Sequence, residues 1–104
     1  MLRLVSRWEI TYGHFAAWTK SVEAGNAICR ENGWAEATLW APFGGKANEI
    51  VMIVEWPDYA THKSQQDAMY ADAGYMSQVG EFLQHVVQGS GSFELLEPLP
   101  MPAT

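Results

Sequence analysis

The stretch NEIVMIVEW, residues 48–56, constrains the fold more than any other part of the sequence because it is apolar on both faces. In an extended strand successive side chains point to opposite sides. Met52 and Val54 therefore point one way, while Val51 and Ile53 point the other. Both faces of this strand need cover, so the fold must supply a helical layer on one side and a further surface on the other.

Alternating hydrophobicity predicts three more strands. They cover residues 2–10 (LRLVSRWEI), 35–40 (AEATLW) and 92–97 (SFELLE). The second of these ends at APFGGKA, whose proline and glycines are typical of a turn. The sequence therefore predicts a sheet of four short strands.

Helical spacing predicts helices between these strands. The first covers residues 14–31 and ends before Gly33. The second starts near residue 59, where Asp58 is placed to cap it, and its pattern runs to residue 86. The segment DAG, residues 72–74, interrupts that pattern, so one kinked helix and two helices in tandem fit equally well.

The element order βαββαβ predicts an α+β fold, the ferredoxin-like arrangement with an antiparallel sheet. Its third strand lies between the first and second, and its helices cover one face. The other face would then expose an apolar patch, which is typical of an interface. We expect a homodimer that buries this patch in a symmetric contact. The predicted interface residues are Val5, Trp40, Val51 and Ile53.

The composition predicts one globular domain over residues 1–97, followed by a proline-rich tail over residues 98–104. Hydrophobic residues make up 48% and charged residues 17% of the 104 residues. The net charge of −6 argues against nucleic-acid and membrane partners. Cys29, the single cysteine, excludes an internal disulfide and is expected in the core. Without a long apolar run, we expect a soluble, cytoplasmic protein.

Two segments, GGKANEIVMIVEWPDYA and ADAGYMSQVGEF, resemble the NIPSNAP-like branch of the dimeric α/β-barrel superfamily. Arg7 and the segment YGHF are similar to the N-terminal pattern of that branch, and the resemblance spans residues 2–97. It implies two sheets packed face to face across a dimer. Relatives include cofactor-free quinone-forming oxygenases, haem-degrading enzymes and proteins without established catalysis, so the fold alone does not determine the function.

The histidines His14, His62 and His85 lie far apart in the sequence and show no metal-ligand spacing, so no metal site is predicted. His62 shares a helix face with Gln66 and Met69 and could move a proton or ligate haem iron. His85 could take this role if the helix interruption turned it inward. Some haem-degrading relatives pair such a histidine with a strand-one asparagine, where this chain has Ser6. No cofactor is therefore expected.

An apolar cleft between sheet and helices is the default place for a small molecule. We expect His62 and Tyr70 to be its catalytic residues if the protein is an enzyme. The alternative is that these apolar side chains simply fill the core. The predicted ligand-binding residues are Ser6, Trp8, Trp18, Met52, Trp56, Met69 and Phe82.

The charges on the opposite sheet face predict either an ion pair or an anion site. Arg7 is expected to pair with Glu55 or Glu94, since a buried charge needs a partner. A bound anion at Arg7 is the alternative.

Three functions fit the sequence. The first is a homodimeric NIPSNAP-like barrel that binds a small apolar or aromatic ligand. The second is a cofactor-independent monooxygenase that acts on a phenolic or quinol-type substrate. The third is a purely structural dimer. A connected cavity beside His62 would favour the first two.

Overall fold

The computed structural model describes residues 1–101, so the last three residues of the predicted tail lie outside the described residues. Within this range the chain forms four strands and three helices. In chain order these are β1 (Leu2–Glu9), α1 (Phe15–Asn32), β2 (Thr38–Trp40), β3 (Glu49–Trp56), α2 (Tyr59–Ala71), α3 (Ala73–Leu83) and β4 (Ser92–Leu96).

The strands form one antiparallel sheet in the order β2-β3-β1-β4, which confirms the ferredoxin-like fold and the position of β3 between β1 and β2. In the central register Leu4 lies opposite Val54 and Ser6 opposite Met52. These four side chains belong to the face that the helices cover. Because β3 is a central strand and pairs on both edges, its backbone polar groups can be satisfied by the ladder.

β2 is shorter than the predicted strand over residues 35–40. The backbone N–H of Ala35 donates to Gln65 Oε1 at 2.9 Å, and the N–H and carbonyl of Ala37 are both bonded by the Asn26 side chain at 2.9 Å. Side chains of the helices thus take the hydrogen bonds that a neighbouring strand would make. Regular pairing with β3 begins only at Thr38.

The interrupted second helix consists of two helices in tandem, joined at Asp72. This residue is extended (φ −90°, ψ 114°), and its side chain accepts a 2.7 Å hydrogen bond from the backbone N–H of Tyr75. Asp58 caps α2 in the same way by accepting from Thr61 N–H, as predicted. Gly33 ends α1 in the left-handed conformation (φ 71°), which also confirms the prediction.

The ion pairs on the uncovered sheet face differ from the prediction. Arg3, and not Arg7, binds Glu55, at 2.7 Å, because these two residues lie directly opposite each other in the register. Arg7 instead approaches Glu49 at 3.6 Å. The predicted pairing of Arg7 with Glu55 or Glu94 is therefore wrong.

The predicted interface residues share this face but differ in exposure. Trp40 is 56% exposed, whereas Val5 and Ile53 are partly buried. Val51 is only 8% exposed, since Arg7 and Trp40 flank it on the neighbouring strands. The prediction that this valine lies bare in a single chain is therefore wrong.

No helix within residues 1–101 is both long and apolar enough to cross a membrane.

Candidate functional site

A cavity of about 370 Å³ lies between the helix-covered sheet face and the three helices. β1 and β3 supply its floor through Leu4, Ser6, Met52, Val54 and Trp56. Each helix supplies part of its wall. The cavity size falls within the range of small-molecule sites.

All but one of the predicted ligand-binding residues line this cavity, and both predicted catalytic residues do so too. The exception is Trp18, which is 0% exposed and packs with Ile10 and Val22 in the solid part of the core. Its side chain contacts Phe82 at a ring distance of 5.4 Å, so it supports the cavity wall from behind. The lining predicted residues are Ser6, Trp8, Met52, Trp56, His62, Met69, Tyr70 and Phe82.

Trp8 closes one end of the cavity. Its ring packs edge-on against Phe82 at 4.9 Å and Phe93 at 5.5 Å, and its indole N–H donates to Ser6 Oγ at 3.1 Å. A Cβ atom at Gly91 would come within 2.5 Å of this ring, so any larger residue at this position would displace the Trp8 ring. The hydrogen bond to Ser6 satisfies the polar end of the indole inside an apolar wall.

His62 lies at the opposite end, on α2, and is buried. Its ring packs edge-on against Trp56 at 4.5 Å and lies 5.7 Å from the ring of Tyr59. The Nδ1 atom is enclosed and has no hydrogen-bond partner among residues 1–101. A buried polar atom without a partner is uncommon, and among residues 1–101 the Nε1 atom of Trp18 in the filled core is a second case.

Tyr70 stands at the cavity rim and is 63% exposed. Gln66, one turn before it on α2, donates a long hydrogen bond of 3.4 Å to its hydroxyl oxygen. The hydroxyl hydrogen of Tyr70 is thus available to a ligand or to water. Compared with His62, this residue is far more open to solvent.

Tyr75 lines the cavity and was missed by the sequence analysis. It lies on the first turn of α3, near Gly25, with its ring 6.5 Å from that of Trp34. Burial, with smaller effects from Cys29 and Tyr70, raises the pKa of Tyr75 to about 12. The available signal was the spacing of Tyr75, Val79 and Phe82, which repeats at helical intervals.

Cys29, which also lines the cavity, is buried as predicted. Burial is the main cause of the raised pKa of its thiol, and Glu36 adds to it. The thiol therefore stays protonated near neutral pH and is a weak nucleophile. In this cavity Cys29 acts as a small apolar wall residue.

Two histidines that are far apart in the sequence meet outside the cavity. His14 Nδ1 and His85 Nδ1 lie 3.0 Å apart, and His85 Nε2 lies 3.2 Å from Glu81 Oε1. The β-bridge between Ile10 and Val86 brings these segments together. His85 does not line the cavity, so the alternative that it acts there is wrong.

No group of three or more histidine, cysteine, aspartate or glutamate side chains within residues 1–101 could hold a metal ion. His14 and His85 form only a pair. Their ring centroids are 5.3 Å apart, whereas their Nδ1 atoms are 3.0 Å apart. The difference is about twice the distance from the centre of an imidazole ring to one of its atoms. The two nitrogens therefore lie on the line between the rings, as in a hydrogen bond from one imidazole to the other.

Comparison with known proteins shows the same fold in several solved structures. A NIPSNAP domain protein from Burkholderia xenovorans superimposes with a TM-score of 0.79 at 19% identity, and all of both chains is covered. The fold is that of the NIPSNAP domain proteins. A NIPSNAP family protein from Agrobacterium tumefaciens gives a TM-score of 0.74 at 17% identity, covering 94% of this chain and 87% of the other.

The same fold occurs in a cofactor-independent oxygenase. SnoaB, a cofactor-independent oxygenase from Streptomyces nogalater, superimposes with a TM-score of 0.70 at 17% identity, covering 96% of this chain and 94% of the other. No family model matches the sequence. No curated protein matches it either. These likenesses establish the ferredoxin-like fold of the single chain.

Proposed function

We propose that the protein binds a small apolar or aromatic molecule in the cavity between the sheet and the helices. The observation that carries this proposal is the cavity of about 370 Å³, whose lining is mostly apolar. A purely structural dimer would need no such space, because protein interiors normally pack without large voids. Aromatic side chains at both ends, Trp8 and Trp56, could stack on a planar ligand.

The direct test is a titration with aromatic probes. Saturable quenching of tryptophan fluorescence is expected for the wild-type protein, with one site per chain. Calorimetry should then show weaker binding for Met69→Ala, which shortens a lining side chain. Phe43→Ala provides the control, since Phe43 is fully exposed and does not line the cavity. An equal loss in both variants, or no saturable binding at all, would refute the proposal.

Trp56→Ala is a stronger test, but this variant could lose stability. The indole N–H of Trp56 donates to Gln65 Oε1 at 2.9 Å, and the Trp56 ring packs against His62. Truncation should weaken binding more than Met69→Ala does, and it should also cost about 3–5 kcal/mol of stability. Circular dichroism must show that this variant is folded before its affinity is compared.

The second candidate function is a cofactor-independent monooxygenase that acts on a phenolic or quinol-type substrate. It is favoured by the likeness to SnoaB, a cofactor-independent oxygenase, and by the place of His62 beside the cavity. In this function the apolar space would hold the substrate against O₂. His62 or Tyr70 would then accept or return the substrate proton.

Oxygen uptake with a panel of phenols and hydroquinones tests this second function. If His62 moves the proton, His62→Ala should lower turnover by about 10²–10⁴ with little loss of affinity. If Tyr70 does so, Tyr70→Phe should have the larger effect. Saturable binding without oxygen uptake would reject the monooxygenase for those substrates and leave the binding function standing.

We also propose that the protein is a homodimer whose interface includes the uncovered sheet face. Exposed Trp40 and partly exposed Ile53 and Val5 support this, since no helix within residues 1–101 lies over them. Replacement of Ile53 by Asp would bury an unpaired charge in such an interface.

Sedimentation at micromolar concentration tests this assembly. The wild-type protein is expected to be a dimer, and Ile53→Asp should give monomer or aggregate. Ser77→Asp, which places the same charge at an exposed position on α3, should remain a dimer. A monomeric wild type would exclude this assembly without affecting the proposed ligand site.

A further inference from the structure

Several polar groups that line the cavity carry hydrogens that no acceptor among residues 1–101 binds. Ser6 Oγ accepts a hydrogen bond from Trp8 N–H, and its own hydroxyl hydrogen has no acceptor among residues 1–101. The amides of Gln66 and Gln78 can both donate and accept, as can the imidazole of His62. The hydroxyl groups of Ser6, Tyr70 and Tyr75 add donors that no acceptor among the described residues occupies.

Tyr75 contributes the most defined of these donors. Asp72 fixes the first turn of α3 by accepting from Tyr75 N–H at 2.7 Å, which holds the ring over Gly25 and near Trp34. Within residues 1–101 the hydroxyl group of Tyr75 makes no hydrogen bond. Since burial raises the pKa of Tyr75 to about 12, the hydroxyl keeps its proton at physiological pH and can only donate or accept as a neutral phenol.

No lysine, arginine, aspartate or glutamate of the described chain lines the cavity. Apart from the imidazole of His62, the lining offers no cationic side chain to an entering carboxylate and no carboxylate to an entering ammonium group, so desolvation of either ion is costly. The lining therefore disfavours ions of either sign. The lining offers apolar surface with a few uncharged polar groups, among which the Tyr75 hydroxyl forms no hydrogen bond with the described residues.

We propose that the site selects uncharged molecules that carry a hydrogen-bond acceptor of the carbonyl type, with the Tyr75 hydroxyl as the donor to that acceptor. This inference rests on the proposed ligand-binding function and narrows its ligand class. It assigns Tyr75 a role in specificity, whereas His62 and Tyr70 remain the candidates for proton transfer. Apolar burial supplies most of the affinity, and the phenol distinguishes one apolar molecule from another.

Fluorene and fluorenone form a matched pair of probes, because they share a ring system and differ by a methylene in place of a carbonyl. Fluorenone should bind the wild-type protein about two- to tenfold more tightly than fluorene, the range expected for one hydrogen bond. Tyr75→Phe should remove this difference by weakening fluorenone alone. Tyr12→Phe, which deletes an exposed hydroxyl outside the cavity, should leave both affinities unchanged.

The possible outcomes show whether the proposed ligand class fails alone or whether the proposed binding site fails as well. If both probes bind equally, or if Tyr75→Phe keeps the preference for fluorenone, the donor role is refuted and the binding function stands. If fluorene-9-carboxylate binds as tightly as fluorenone, the selection against charge is refuted. If none of the three probes binds, the proposed function fails and this inference fails with it.

Discussion

α1 and the α2–α3 pair cover the same sheet face but do different work. α1 contributes four buried residues, among them Trp18 at 0% exposure, which packs with Ile10 in the filled core, while residues further along α1 line the cavity. α2 contributes only His62, and α3 contributes no fully buried residue within the described chain. Yet α3 is rich in apolar side chains, and Tyr75, Val79 and Phe82 line the cavity.

This difference shows how one helical layer can combine a filled core with a cavity. Apolar side chains normally pack against other side chains at high density. On α3 they face a cavity, so their burial would be completed by a ligand. The first three predictions test whether the two regions differ in this way.

The largest expected effect is on stability in the filled region. Trp18→Ala should lower the free energy of unfolding by about 3–5 kcal/mol, because neighbours cannot collapse into the space it leaves. Val79→Ala, which enlarges an existing cavity, should cost less than about 1 kcal/mol. Urea denaturation measures both values. Similar costs at the two positions would contradict the difference between the helices.

The junction between α2 and α3 should show a moderate effect. Asp72→Ala removes the side chain that caps α3, and helix caps of this kind contribute about 0.5–2 kcal/mol. Asp72→Asn keeps an acceptor and should remain close to the wild type. Thermal and urea denaturation of the two variants give the comparison. Equal destabilisation by both would mean that capping is not the role of this residue.

The smallest effect is spectroscopic. Because the pKa of Tyr75 is raised from 10.0 to about 12, its phenolate should form only near pH 12. Tyrosinate absorbance measured against pH should therefore contain a late component, and Tyr75→Phe should lack it. The sign follows from burial, which disfavours the charged form. A late component that persists in Tyr75→Phe would mean that a tyrosine other than Tyr75 has the raised pKa.

Much of the fold follows from local patterns in the sequence. Strand alternation and the cap residues Asp58 and Gly33 determined the element order, and the two-faced pattern of β3 required a central strand. β2 was overestimated because the side chains of Asn26 and Gln65 compete for its backbone groups. Such long-range contacts carry no periodic signal.

The site was predicted less completely, for geometric reasons. Asp72 is extended and interrupts the helix, so the helical pattern predicted from the sequence did not single out the cavity residue Tyr75. Trp18 was assigned to the ligand because spacing gives the face of a helix but not the depth of its packing. The meeting of His14 and His85 depends on a bridge between distant segments.

The central claim is that the space beneath α2 and α3 is an apolar site rather than part of a packed core. Crystals of the protein pressurised with xenon test it without knowledge of the ligand, since xenon enters apolar cavities. Anomalous density is expected between Met52, Val79 and Trp56, and none around Trp18. A cavity region without xenon, with side chains of α3 packed onto the sheet, would contradict it.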